Sequence, residues 1–525
     1  MSKRIAVLAV LCSLSWEPSA SLYAADWPTF GHDPQRSGWA IEEKQLTVEN
    51  VSRLELKWKT QMKNEPKSLT ALTTPIVATD VTTPQGIKAL VCVGGSSNHF
   101  YALDAENGNV IWSRTFKSYV APVKEDFWLC PQGINATPVI DQTAAIVYAI
   151  AMDGKLYGLD LGTGKDKFGP IQFVPPFSKN WSLNLVKGMI YTSTSQGCGD
   201  AQSGIYAMDV KDPLRPQTRS FLVSKGGHGG IWGRGGPVAG RNGRIYGATG
   251  DGLTDPSQGE YSNSVVAASL GDLEVVDYFL PTNWRDIFRY DWDLGCTSPV
   301  WLAHKNYNLL AVGGKEGVVY LLDADLLGDK DHQTPLFLTP RLANDNGTFE
   351  GAGIWGALSA WRDEDQTWVY VPILGPRSTH APKFPQTNGS TPHGCIMAFK
   401  IAMDSSSKKP ILDPAWMSGD FDVPEPVAIA NGIVFALSNG ENVHQTKEGG
   451  LIDYGKLTTL TDEQRRSNVH RAVLYALDGK TGGLLYESGT AIDTWMHFGG
   501  LAVANGRVYT VDHASQVYCF GLKGK

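Results

Sequence analysis

The chain reads as an all-β protein, an eight-bladed β-propeller of four-stranded antiparallel blades. Three observations point there. An apolar strand ending in aromatic-x-x-Asp recurs at spacings of roughly fifty-five residues or multiples of that, and several copies run on into a Gly-containing turn. The runs between these copies are short, rich in Val, Ile and Tyr, and bounded by Gly, Asn, Asp and Pro, as antiparallel strands are. The 57 glycines and 29 prolines beside 16 tryptophans describe many turns punctuating well-filled strands. Such a unit cannot bury its faces alone and stacks on its neighbours, so 525 residues can form one closed body from residue 26 to the end.

Taken in order, the blades begin near Thr74, Thr137, Trp181, Gly236, Ser298, Ile354, Glu425 and Gly500. The first carries Phe100-Tyr101-Ala102-Leu103-Asp104, then Asn107-Gly108 and Trp112. The second shows the whole pattern: an inner strand ending in Thr137-Pro138-Val139-Ile140-Asp141, a second strand from Ile146, Leu156-Tyr157-Gly158-Leu159-Asp160, and a Thr163-Gly164-Lys165 turn into an outer strand. The third and fifth hold the weaker copies Ile205 to Asp209 and Val319 to Asp323, and the seventh holds Leu474 to Asp478 with Thr481-Gly482. The eighth stops near Gly521 after its third strand, while an unassigned strand, Leu54 to Trp58, precedes the first blade. Adding that strand to the last blade closes the ring and removes an exposed sheet edge.

Met1 to about Ala25 has Lys3 and Arg4, an apolar run from Ile5 to Leu14 and a small-residue exit, which predicts a signal peptide cleaved near Ala24/Ala25 and a periplasmic or secreted protein. No later stretch is long and apolar enough to predict a membrane span. A net charge of −7 gives no basic field for nucleic acid. Six cysteines follow the leader, widely spaced and with no CxxC or CxxCH, so neither a zinc site nor an attached c-type haem is predicted. Cys130 and Cys198 fall in loops of one face and nearby blades, which makes a bridge between them geometrically open.

In a four-stranded antiparallel blade the loops between second and third strands emerge on the same face as the blade-to-blade connections. The long insertions, 249–264, 375–394 and 438–471, are second-to-third loops, so one face is elaborated. That face collects Asp153, Asp200, Asp251, Lys315, Asn442 and His513 from second-to-third loops, and Cys130, His228, Trp232, Asp291, Asp293, Trp355 and His497 from blade connections. Carboxylates and amides beside a lysine and tryptophans suit a hard cation and a planar anionic ligand. Asp153-Gly154 and Asp251-Gly252 also fit ordinary hairpin turns, and a Lys315–Asp293 ion pair would explain those two residues without a ligand. Asp104, Asp160, Asp209, Asp323 and Asp478 recur with the repeat on the opposite face and read as structural, as does Trp112.

The repeats Thr137 to Asp141, Tyr101 to Asp104 and Thr163 to Lys165 resemble those of the pyrroloquinoline quinone (PQQ) dehydrogenase family, and Asp26-Trp27-Pro28-Thr29-Phe30-Gly31-His32-Asp33 looks like the opening of PQQ-like propellers, including polyvinyl-alcohol dehydrogenases. The segment Tyr290-Asp291-Trp292-Asp293 followed by Gly314-Lys315-Glu316-Gly317 is similar to the family's catalytic region. This resemblance implies Asp293, or in second place Asp291, as the base, with Lys315 beside the quinone. It implies Asp251 and either Asp200 or Gln202 as Ca²⁺ ligands, Trp232 as the floor under the quinone, and Cys130 and Asn442 as further cofactor contacts. The chain departs from the pattern in having Cys130 alone where the family often has two adjacent cysteines, and in lacking the family's Glu and Asn calcium ligands. The expected function is a PQQ- and calcium-dependent dehydrogenase of an alcohol or sugar-like hydroxyl substrate, small or polymeric, with a separate electron acceptor. The alternative is a non-catalytic propeller that binds protein or polymer in the cell envelope.

Overall fold

The computed structural model describes residues 25–119, 130, 133–212, 215–224, 229–451 and 457–524. The segment 1–24, where the signal peptide is expected, and His228 lie outside them. The strands assort into eight antiparallel four-stranded blades. The first comprises Ile76–Thr83, Gly86–Gly95, His99–Asp104 and Val110–Thr115. The eighth comprises Ala502–Ala504, Arg507–Val511 and Gln516–Leu522, and is completed by Leu54–Gln61, which pairs antiparallel from Leu54 opposite Leu522 to Gln61 opposite Gln516. Ring closure by the N-terminal strand is therefore as the sequence predicts, with the pairing reaching three residues past Trp58.

The apolar core lies between blade faces. Leu90 and Phe100 of the first blade pack in one cluster with Val147 and Leu159 of the second. The aromatic-x-x-Asp strands supply this core, and their aspartates complete the turns that follow. Asp104 accepts from Glu106 N, Asp160 from Thr163 Oγ1, and Asp478 from Lys480 N and Thr481 N.

Outer-strand tryptophans lock each such turn to the preceding blade. Trp58, Trp112 and Trp416 donate their indole N–H to Ala105 O, Leu161 O and Gly479 O, at 3.1, 2.9 and 3.0 Å. The indole lies flat against the glycine of that turn. A Cβ on Gly164, whose φ is +69°, would meet Trp112 Cε3 at 2.4 Å, and one on Gly482 would meet Trp416 Cε3 at 2.3 Å. Glycine is needed there for the left-handed backbone and for the approach of the ring.

Two features lie outside the repeat. The insertion after the second strand of the sixth blade sends Gln386–Thr387 to pair parallel with the outer strand Pro410–Met417, so part of it covers a blade edge. The segment from Trp27 to Glu43 runs round the inner strands of all eight blades in order: Trp27 bonds Val77, Pro28 bonds Ile140, and Thr29 bonds Leu183; Pro34, Gln35, Ser37 and Ala40 continue through blades four to seven, and Glu43 bonds Gly506. Arg36, 1% exposed, ties the segment down by donating to Phe30 O and Leu183 O. Among the described residues no helix is long and apolar enough to cross a membrane.

Candidate functional site

Loop parity places the chemistry. Asp251 follows the second strand of the fourth blade, Arg244–Ala248, and Lys315 follows that of the fifth, Tyr307–Gly313. Asp291 and Asp293 lie in the connection between these blades, just after a single helical turn and a half, Trp284–Arg289, whose buried Ile287 accepts from Trp292 N. Trp232 lies in the preceding connection and bonds across to Gly295 O at 2.9 Å. All five residues line one axial cavity of about 250 Å³, just below the range of about 300–1,000 Å³ common for small-molecule sites. Phe30, from the N-terminal segment, and Trp355 line it as well.

Carboxylate oxygens of Asp251, Asp291 and Asp293 all lie within 4.8 Å of one another. Lys315 Nζ is 2.7 Å from Asp291 Oδ1 and 2.7 Å from Asp293 Oδ2. Its ammonium also faces Trp355, 5.2 Å from the ring centre. Asp293 is 1% exposed, and its carboxylate is held by the Lys315 ammonium. The Lys315–Asp293 pair read as a possibility in the sequence is thus present, but it is one side of a group with three carboxylates and one ammonium.

The electrostatics follow from that imbalance. Burial, then the charge of Asp293, pushes Asp251 up to about 7. The same two causes carry Asp291 well above the usual carboxylate range. Burial acts on Asp293 too, yet Lys315 and hydrogen bonding outweigh it and hold the group below its ordinary value. Three acidic groups and one cation in a closed space favour a further positive charge, and such an oxygen-only set suits a hard cation.

The site also has a shaped floor. A Cβ on Gly250 would lie 2.7 Å from Trp232 Cη2 and 2.8 Å from Asp293 Oδ1, so glycine lets indole and carboxylate meet there. Of the remaining residues singled out in the sequence, His497 lines the cavity as well, and the others that the structure describes lie elsewhere. Cys130 and Cys198 form a disulfide with Cα atoms 5.6 Å apart, and Cys130 carries no free thiol. Asp200 sits exposed on the single turn Cys198–Asp200, outside the three-carboxylate group. Asn442 donates to Gln464 O and accepts from His444 N within its own insertion. None of these four lines the cavity. Asp153 does what a hairpin aspartate does, accepting from Lys155 N and Tyr157 OH.

Several lining residues had no signal in the sequence. Lys179, Trp181 and Arg234 enter the cavity from the start of the third blade and the connection after it. Arg234 stands two places after Trp232, which is the one hint available.

Comparison with known proteins agrees with this architecture. Residues 27–202 match the family model described as glucose/ethanol/alcohol dehydrogenase, beta-propeller domain, of the PQQ type. The chain is similar to quinohemoprotein alcohol dehydrogenases from Comamonas testosteroni (TM-score 0.59, 15% identity) and Pseudomonas putida HK5 (TM-score 0.57, 14% identity), with 95% of this chain and 81% of each of those covered. It is also similar to a europium-containing methanol dehydrogenase (TM-score 0.57, 14% identity), covering 95% of this chain and 98% of that one. No curated protein sequence matches the chain. At these identities the likeness shows the fold.

Proposed function

Starting from a PQQ-type propeller with a carboxylate-lined axial cavity, we propose that the chain is a periplasmic dehydrogenase that oxidises an alcohol or sugar-like hydroxyl compound with PQQ and a cation. The observation that carries this reading is the convergence of Asp251, Asp291, Asp293 and Lys315 on one cavity. The residues fit the groups. Asp251 and Asp291 would hold the cation, Ca²⁺ or another hard cation, beside Asp293, and the Trp232 face offers a platform for a flat ring. When bound, cation and quinone together supply a polarised acceptor for hydride.

The protein's own part is positioning and proton transfer. Asp293 is the base: Lys315 keeps it ionised, and an incoming hydroxyl gives up its proton to it. Lys315, braced by Asp291 and by the Trp355 face, fixes the carboxylate and stays charged. Trp232, Trp355 and Phe30 line the cavity beside these charges and limit the water around them. Electrons would leave to a separate acceptor.

Asp293→Ala tests the assignment. It is expected to lower turnover by at least about 10²–10⁴-fold with quinone binding largely retained. Unchanged turnover, measured by dye reduction with saturating quinone and cation, would sink the role given to Asp293.

A further inference from the structure

We infer that Lys179 and Arg234 form a carboxylate-binding subsite on the cavity wall, apart from the three aspartates. Both residues flank Trp181: Lys179 Nζ lies 5.2 Å and the Arg234 guanidinium carbon 5.4 Å from its ring centre. Trp181 is itself held by its N–H to Ser195 Oγ at 2.9 Å. The Arg234 backbone is tied on both sides, N–H to Gly356 O at 3.0 Å and C=O accepting from Ser182 Oγ at 2.6 Å.

Neither cation has a carboxylate in contact with it. Among the described residues no carboxylate lies within 4.0 Å of either, and Arg234 Nε and Nη2 are buried without an acceptor. Glu425 and Glu441 act on Arg234 through space, but they are engaged elsewhere, Glu425 by Asn439 and Phe498 N, and Glu441 by His497. An unpaired buried guanidinium is costly, and a second cation beside it raises that cost. Burial pulls Arg234 down to about 9 and Lys179, with Arg234 as its neighbour, to about 7. A planar guanidinium with two open donors beside an ammonium matches a carboxylate better than a hydroxyl or a neutral ring.

The identity of the ligand rests on the proposed function. The carboxylate is either one carried by the quinone or one carried by a hydroxy acid substrate. In both cases it would be gripped at Trp181, with the rest of the ligand extending toward the aspartates.

Calorimetric titration distinguishes these. The mature wild-type protein, Lys179→Met, Arg234→Met and the charge-keeping Lys179→Arg are each titrated with four probes: PQQ with Ca²⁺, the quinone's methyl ester with Ca²⁺, glycolate, and ethylene glycol. Each methionine variant is expected to bind PQQ or glycolate about ten- to a hundredfold more weakly than wild type, with Lys179→Arg near wild type and the uncharged counterparts unaffected. Whichever acid responds names the source. If wild type binds glycolate but not PQQ, and the methionine variants lose glycolate, the subsite stands and the quinone reading fails. If the methionine variants, folded by melting temperature, bind both acids as wild type does, the subsite is overturned and the quinone reading is untouched. Absence of binding by wild type to either acid overturns both.

Discussion

Single side chains on the elaborated face divide into those that finish a turn and those that face the axis. Asp153 is of the first kind, because its partners lie two and four residues away. Asp251 sits in a similar Asp-Gly turn, yet its carboxylate meets Asp291 and Asp293 from a different connection. His513 belongs with the buried groups and makes a separate prediction. It stacks on Trp495 at 4.0 Å, its Nε2 is 3.0 Å from Ser68 O, and burial holds its pKa down from 6.5 to about 4. The folded value lies below the unfolded one, so its stabilisation is complete above about pH 6.5 and is lost as the pH falls toward 4. His513→Gln is therefore expected to flatten the fall in unfolding free energy across that window, by on the order of 3 kcal/mol. Denaturation curves at several pH values check this, and equal slopes for both proteins would contradict it.

At the scale of elements, one device is repeated. The indole of an outer strand lies on the glycine of the next blade's turn and bonds a carbonyl beside it, at Trp58, Trp112 and Trp416. Trp112→Ala opens a cavity at such a joint and is expected to cost about 3–5 kcal/mol. Gly164→Ala attacks the same joint from the other side, through the positive φ and a 2.4 Å contact with Trp112. Chemical denaturation measures both, and a loss below about 1 kcal/mol for Trp112→Ala would show that the indole is not the joint. The strands and turns of this joint were legible because the aromatic-x-x-Asp copy and its turn glycine recur together, whereas of the three tryptophans only Trp112 follows such a copy. The helix Trp284–Arg289 and the edge strand Gln386–Thr387 were not, since six and two residues are too short to carry a period.

The ring as a whole is closed twice, by Leu54–Gln61 in the eighth blade and by the Trp27 to Glu43 segment on the inner strands. The first closure follows from counting strands. The second could not be read, because that segment has no periodicity and each of its bonds goes to a different blade. The site shows the same division. Parity put Asp251, Asp291, Asp293, Lys315 and Trp232 on one face, and the structure brings these five to one cavity. It could not set depth or distance, so Asp200, Cys130 and Asn442 shared the face without reaching the axis, and Lys179 and Arg234 stayed hidden in segments that read as scaffold. Everything proposed for this axis depends on its holding a quinone and a cation together. The most direct test is titration of the purified mature protein with PQQ in the presence and absence of Ca²⁺, followed by ring absorbance and tryptophan quenching. Saturable binding that requires the cation and is lost in an Asp251→Ala, Asp291→Ala double variant is the predicted result. No binding at high quinone and cation would contradict it and leave the molecule as a propeller scaffold.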